Sequence, residues 1–328
     1  MRAVQVTYLA EDFAGCAIQE IDRPDPGPGQ ILVQIRAAAI GFPDLLMTQG
    51  LYQHKPDLPF TPGTEISGDV VALGQGVDQF TVGQAVVANK LGGGLAEFGV
   101  FDAKTSRLKP DNLSYAQAAA TTSAYLTAYV SLVRRGYLQK DEWVLVHGAA
   151  GGVGLAAVDL AHHLGAKVIA VASSDEKLEK IRAHVPVEAT INSQNGFRQQ
   201  VKDITGGKGA DVIYDPVGGD VFDESVRCIA WGGRLLVVGF ASGRIPNISA
   251  NMALIKGFSV VGVRAGEYGR KDPKAGAENM SEIWDLAAKG HVTPYVDCEL
   301  GLSQWRAAFG RMENRELVGR VIVDPSQP

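Results

Sequence analysis

Apolar residues along this chain fall into two rhythms. Up to about residue 101 they come in short runs, AVQVTYL, ILVQIRAAAIG, SGDVVALGQGV, QAVVANK and LAEFGVF, broken by turn-rich text such as DRPDPGPGQ. Pro and Gly at that density punctuate short strands, so this stretch predicts a β-rich domain, a small barrel or curled sheet. Residues 114–133, SYAQAAATTSAYLTAYVSLV, place apolar positions at helical spacing and predict one or two helices. From Trp143 onward, continuous Val/Ile/Leu runs alternate with helical text: WVLVHG, GVGLAAVDLAHHLG, KVIAVA, SDEKLEKIRAH, then the further strands DVIYDPVG, GRLLVVGF and GFSVVGV. Strands that are apolar on both faces belong to a parallel sheet covered by helices, a doubly wound Rossmann-type α/β domain. Residues 258–263 are its last strand, AGEYGRKDPKAG reads as a Gly- and charge-rich turn, and ENMSEIWDLAAKG as a helix. The chain closes on a strand, LVGRVIV. A β-rich start, an inserted α/β domain and a terminal strand predict that the two ends pair, which makes the first domain discontinuous.

Within the α/β text, WVLVHGAAGGVG packs four glycines into seven residues between a strand and a helix. Glycines there let the backbone turn sharply and approach a pyrophosphate, and they let the helix pack on the strand while its free amides face the anion. The other phosphate-loop candidate, TGGKG at residues 205–209, has Gly after its lysine and precedes a strand, so it reads as a turn. No G-x-S-x-G elbow or spaced carboxylate pair points to hydrolysis. His147, directly before Gly148, reads as a strand-end histidine satisfied by backbone groups.

Composition narrows the field further. The 328 residues are too many for one ordinary core, and 46% hydrophobic with 20% charged residues is a globular balance. A net charge of −5 offers no general attraction for nucleic acid or anionic membrane. The N-terminus lacks the apolar core of a signal peptide and no run is long enough to span a bilayer, so a cytoplasmic location is expected. Cys16, Cys228 and Cys298 lack C-x-x-C spacing, and the adjacent His162 and His163 point to different sides of a predicted helix. Neither set forms a metal site.

Several segments in register, PGPGQILVQIRAAAIGFPDLLMTQGLY, LPFTPGTEISGDVVALG, LTAY, GAAGGVG, YDPVGG and LVGRVIV, resemble the medium-chain dehydrogenase/reductase superfamily, and within it the zinc-independent quinone oxidoreductase branch. The resemblance spans nearly the whole chain. It implies a GroES-like catalytic domain from residues 1–122 and 266–328, a Rossmann cofactor domain over 123–265, and an active site in the cleft between them. Zinc members carry a cysteine shortly before an aspartate, and a Gly-His-Glu further on. Here the text is IGFPD and GTE, so Gly41 and Thr64 stand at the two ligand positions and neither binds zinc.

NAD-specific Rossmann proteins place an acidic residue at the end of the second strand to hold the ribose hydroxyls. Counting along KVIAVASSDEK puts Ala172 there, which leaves room for a 2′-phosphate, with Ser173, Ser174 and Lys177 to bind it. NADPH is the expected cofactor. The two serines also suit the cap of the helix DEKLEKIRAH, a role compatible with phosphate binding. Two departures stand against it: Asp175 adds a negative charge, and Ser193 occupies the place of the branch's tyrosine. The pyrophosphate loop is Ala150, Gly151, Gly152 and Val153. By the resemblance, Thr127 lies near the nicotinamide carboxamide, and Val217, Gly218, Phe240, Ala241 and Val263 lie along the cofactor.

Without a metal, the expected reaction is hydride transfer to a quinone or other conjugated carbonyl, with a proton source. Tyr52, in MTQGLYQHKP, resembles the branch's cleft tyrosine and reads either as proton donor or as an aromatic lid. Gly41 replaces an asparagine common in the branch, and Arg264 reads as a substrate cation or a solvated arginine. An enoyl-thioester or acrylate-type double-bond reductase and a non-catalytic NADPH-binding protein are the alternatives. The apolar strand FSVVGV at a sheet edge predicts a homodimer.

Overall fold

Strand-forming residues dominate the first unit, Met1–Thr122 together with the chain from Val296, in the computed structural model, which describes residues 1–327. Its early strands are β1 (Arg2–Val6), β2 (Cys16–Glu20), β3 (Gln30–Ala39), β4 (Glu65–Leu73), β5 (Ala85–Asn89), β6 (Phe98–Asp102) and β7 (Arg107–Leu108). Two short helices join them, α1 (Phe42–Thr48) after β3 and α2 (Tyr115–Ala119) after β7. The unit is organised around β3. Antiparallel β4 follows it along one edge, while β6 takes only Gln30–Gln34 of the other. Register shifts in the β3–β4 ladder, between Leu32 and Val33 and between Ile35 and Ala37, add local twist. That twist lets one strand serve different neighbours along its length.

The second unit, Ser123–Tyr295, is the inserted α/β domain. Helix α3 (Thr122–Tyr129) leads through a π-helical stretch, Val130–Arg135, into strands β8 (Trp143–Val146), β9 (Lys167–Ala172), β10 (Ala189–Asn192), β11 (Ala210–Asp215), β12 (Ile229–Val237) and β13 (Ser259–Gly262). All pair in parallel in the order β10-β9-β8-β11-β12-β13, so the winding reverses beside β8. The helices are α4 (Gly152–His163), α5 (Asp175–His184), α6 (Arg198–Ile204), α7 (Gly219–Ser225), α8 (Ala250–Lys256), α9 (Ala265–Lys271) and α10 (Pro273–Ala288). Val144, Leu145, Val146, Val168, Ile169, Ala170, Val212 and Ile213 are fully buried, as a sheet covered on both faces requires.

Two expectations change here. The presumed turn AGEYGRKDPKAG is helical over most of its length, forming α9 and the start of α10. Its glycines serve helix crossing: a Cβ on Gly276 would stand 2.8 Å from the Gly269 Cα. Asp272 and Pro273 open α10, with the Asp272 carboxylate accepting from the Ala275 amide at 3.0 Å. The second crossing between units also falls at Tyr295, not at residue 266. Arg134, at the end of the π-helix, binds Asn279 at 2.7 Å and pairs with Glu278 at 3.1 Å, which fixes α10 to this unit. Asp159 on α4 receives the Thr293 amide at 2.8 Å, which holds the segment beyond it.

The chain then returns to the first unit as β14 (Val296–Gly301), α11 (Trp305–Glu313) and β15 (Arg320–Asp324). Strand β15 pairs antiparallel with the free half of β3, Ile322 opposite Ala39 and Val323 opposite Ala38. Phe13 packs on Trp305 and Phe309 of α11 with ring centroids 6.1 and 5.5 Å apart, joining the two chain ends in one apolar core.

Candidate functional site

In the second unit, the sequence-predicted residues other than Thr127 fall at or just beyond the strand ends of one rim. The loops after β8, β9, β11, β12 and β13 all leave the carboxyl ends of parallel strands, the side on which open α/β sheets bind ligands. The glycines of the first loop do different work. Gly148 has φ +57°, a left-handed conformation that a side chain disfavours. A Cβ on Gly154 would stand 2.1 Å from the Gly148 carbonyl oxygen, so this glycine lets the helix close on the strand. At Gly151, the N-cap of α4, a Cβ would meet only that same oxygen, at 3.4 Å, and φ is an ordinary −74°. The space over the helix N-terminus is therefore open, and no side chain caps the helix. Ala150 and Val153 flank that space in sequence, with Gly152 as the first helical residue.

At the next strand end, β9 stops at buried Ala172, with Ser173 exposed beyond it. Ser174 is the N-cap of α5, its hydroxyl accepting from the Lys177 amide at 3.4 Å. After β11 the side chain of buried Asp215 builds the turn, one oxygen receiving the Val217 and Gly218 amides at 2.8 and 2.9 Å. Burial raises the Asp215 pKa while these two donors lower it. Phe240 and Ala241 lie on the β12 loop, which returns to the same turn through Ala241 N to Pro216 O at 3.0 Å and Ser242 N to Val217 O at 2.9 Å. Val263 is buried and bonded to Val237, and Arg264 is the exposed N-cap of α9. Thr127 belongs to helix α3, its hydroxyl donating to the Ser123 carbonyl at 2.8 Å. His147 has a side-chain partner where backbone was expected. Its Nε2 lies 2.8 Å from Ser225 Oγ, whose own hydrogen goes to Val221 O at 2.7 Å, so Nε2 carries the proton. Burial pushes its pKa down to about 3.

The first unit holds a buried charge cluster that sequence reasoning had not assembled. Asp44, fully buried on α1, accepts the Gly41 amide at 2.8 Å and the Gly63 amide at 3.0 Å, with Thr64 Oγ1 at 3.4 Å. Burial pushes its pKa up to about 6, against the pull of those amides and Arg320. Arg320 of β15 pairs with Glu65 of β4 at 2.7 Å, with both side chains buried. Gly41 is the N-cap of α1, and Tyr52 lies half-buried in the loop between α1 and β4.

Family profiles match both parts of the chain: "Alcohol dehydrogenase GroES-like domain" over residues 27–111 and "Zinc-binding dehydrogenase" over 152–286. A "quinone oxidoreductase-like protein 2 homolog" of Nematostella vectensis is 41% identical over 305 residues, 92% of this chain and 83% of its own length. The chain belongs to the medium-chain dehydrogenase/reductase superfamily. Two solved structures carry the same likeness. A probable oxidoreductase from Mycobacterium abscessus superposes with TM-score 0.89 at 34% identity, covering 99% of both chains. A mycobacterial protein complexed with NADPH superposes with TM-score 0.88 at 29% identity, covering 99% of this chain and all of the other.

In this superfamily member the residues do not fit a catalytic zinc. Gly41 has no donor atom, both Asp44 oxygens accept amide hydrogens, and Glu65 is paired with Arg320. Among the described residues no three His, Cys, Asp or Glu side chains are placed to hold a metal ion. The nicotinamide dinucleotide of the superfamily does fit. An open, uncapped helix N-terminus lies behind a loop whose glycines allow close backbone approach. The described residues include no helix long and apolar enough to cross a membrane.

Proposed function

We propose that this oxidoreductase is an NADPH-dependent, zinc-independent reductase of quinones or other conjugated carbonyls. The observation that carries the cofactor choice is the end of β9. Ala172 stands where an acidic residue would hold the ribose hydroxyls of NADH, and Ser173, Ser174 and Lys177 follow it. Their hydroxyls and ammonium group suit a 2′-phosphate. Bound there, the nicotinamide supplies a hydride to an electron-poor double bond. Ala150, Gly151, Gly152 and Val153 receive the pyrophosphate, and Val217, Gly218, Phe240, Ala241 and Val263 line the remainder, with Thr127 at the carboxamide. Tyr52 is the proton donor and Arg264 the cation for an anionic acceptor, while Gly41 leaves room where a side chain would add a polar contact.

A survey of NADPH and NADH oxidation with quinones, enones and acyl thioesters tests this reading. Preferential use of NADPH with quinones or enones is the expected result. Preference for NADH refutes the cofactor assignment, and turnover confined to acyl thioesters gives the enoyl-thioester alternative. NADPH binding without turnover of any acceptor gives the non-catalytic one. Tyr52→Phe keeps the ring and removes the hydroxyl: loss of kcat identifies a donor, whereas an unchanged kcat leaves only packing.

Homodimerisation is part of the same proposal. Strand β13 is the sheet's outer strand, its Val260 40% exposed; Leu254 and Ile255 shortly before it are 81% and 66% exposed, and Trp231 of β12 is 79% exposed. An unpaired apolar edge of this kind invites a second strand.

A further inference from the structure

We infer that Asn192 sets the preference for NADPH over NADH by holding the Asp175 carboxylate. This rests on the proposed placement of the 2′-phosphate at Ser173, Ser174 and Lys177. Asn192 ends β10 directly opposite Ala172 in the parallel ladder, which brings it to the same strand-end rim. Its Nδ2 donates to Asp175 Oδ1 at 2.9 Å, and its Oδ1 accepts the Gln194 amide at 3.1 Å. The second bond fixes which way the amide faces, since an exchanged O and N would set a donor against the Gln194 N–H.

Asp175 is the first residue of α5, immediately after the Ser174 cap. Left unheld, its carboxylate repels a 2′-phosphate and accepts hydrogen bonds from ribose hydroxyls, the role an acidic residue plays for NADH. Fixed by the Asn192 amide, it has one oxygen engaged and its rotamer set, so the serines and Lys177 meet the phosphate with less competition. Asn192 is thus a positioning residue for cofactor selectivity.

Isothermal titration of the full-length protein with NADP⁺ and NAD⁺ tests it, through the ratio of the two dissociation constants. Asn192→Ala is expected to shift that ratio toward NAD⁺ by roughly two- to fivefold, the scale of one exposed charge interaction. In an Asp175→Asn background the same substitution should shift it hardly at all. An unchanged ratio in Asn192→Ala overturns the inference, as does an equal shift in both backgrounds, which would mean that Asn192 acts without Asp175. If Asn192→Ala does not fold, Asn192→Ser, which keeps a short polar group at the Gln194 cap, takes its place with the same expected shift. A wild-type preference for NAD⁺ refutes the NADPH reading instead. The Asn192 effect keeps its direction in that case, so the two failures are distinguishable.

Discussion

Gly151 and Gly154 stand three residues apart where the loop enters α4, and the structure assigns them opposite failures. In Gly154→Ala the new methyl would sit 2.1 Å from the Gly148 oxygen and 2.8 Å from its carbonyl carbon, so the turn must yield by about 1.3 Å to reach ordinary contact near 3.4 Å. It has little freedom to do so. The Gly148 carbonyl accepts the Gly151 amide and the Ala149 amide is tied to Val171, each at 2.9 Å. Overpacking of this kind costs about 1–3 kcal/mol and the lost hydrogen bond about 1 more. The melting temperature should therefore fall by roughly 5–15 °C for a domain of this size. In Gly151→Ala the methyl meets nothing closer than 3.4 Å at an ordinary φ, so stability should change by less than about 1 kcal/mol. That methyl nevertheless fills the space over the α4 N-terminus. Losing one or two amide contacts to a pyrophosphate should weaken NADP⁺ binding by roughly 10- to 100-fold. Scanning fluorimetry and titration calorimetry on both variants separate the effects. Gly151→Ala with wild-type affinity would show that the pyrophosphate does not lie on this loop, and Gly154→Ala with wild-type stability would refute the packing argument.

Three further outcomes follow from the geometry. Asp215→Ala leaves the Val217 and Gly218 amides without their acceptor, so stability should fall by about 1–3 kcal/mol and hydrogen exchange at those two amides should accelerate; unchanged exchange would show that the turn holds itself. Burial depresses the His147 pKa to about 3, so below its unfolded value of 6.5 the unfolded chain binds the extra proton and stability is lost as pH falls. From pH 6.5 to 5 the loss is about 2 kcal/mol, and His147→Gln should show a correspondingly shallower decline in melting temperature; equal slopes would remove His147 as the cause. Val260→Lys puts a charge on the outer strand, and sedimentation at micromolar concentration should change from dimer to monomer, whereas a wild-type monomer would reject the dimer outright.

What was legible in the sequence were features imposed on the backbone locally. Runs such as KVIAVA and DVIYDPVG marked buried parallel strands because a sheet covered on both faces admits little else. The glycine loop marked the first turn because close approach excludes side chains there. The same reasoning misled at AGEYGRKDPKAG, where Gly269 and Gly276 answer to a helix crossing and a turn has the same composition. Residue 266 looked like the end of the α/β domain because nothing local says that Arg134 reaches Asn279, 145 residues later. A strand-end histidine such as His147 reads as bonded to local backbone, whereas its partner Ser225 lies 78 residues away.

The buried charges of the first unit show most clearly what a linear reading omits. Asp44 and Glu65 stand within the segments that set this chain apart from zinc members, and in isolation two carboxylates near Gly41 look like remnants of a metal site. The partner that settles their role is Arg320, 255 residues from Glu65 on the returning strand. Two ions taken from water cost several kcal/mol each unless paired and hydrogen-bonded. Here Glu65 has its guanidinium, and Asp44 has the amides of Gly41 and Gly63 to pin the start of α1 to the loop before β4. Those acceptor sites are committed to holding the first unit together, with Arg320 joining β15 to β4 across the sheet. A metal could enter only by breaking that network and would still lack donors at Gly41. The carboxylates of the first unit are therefore committed to the fold and leave no zinc site beside Gly41.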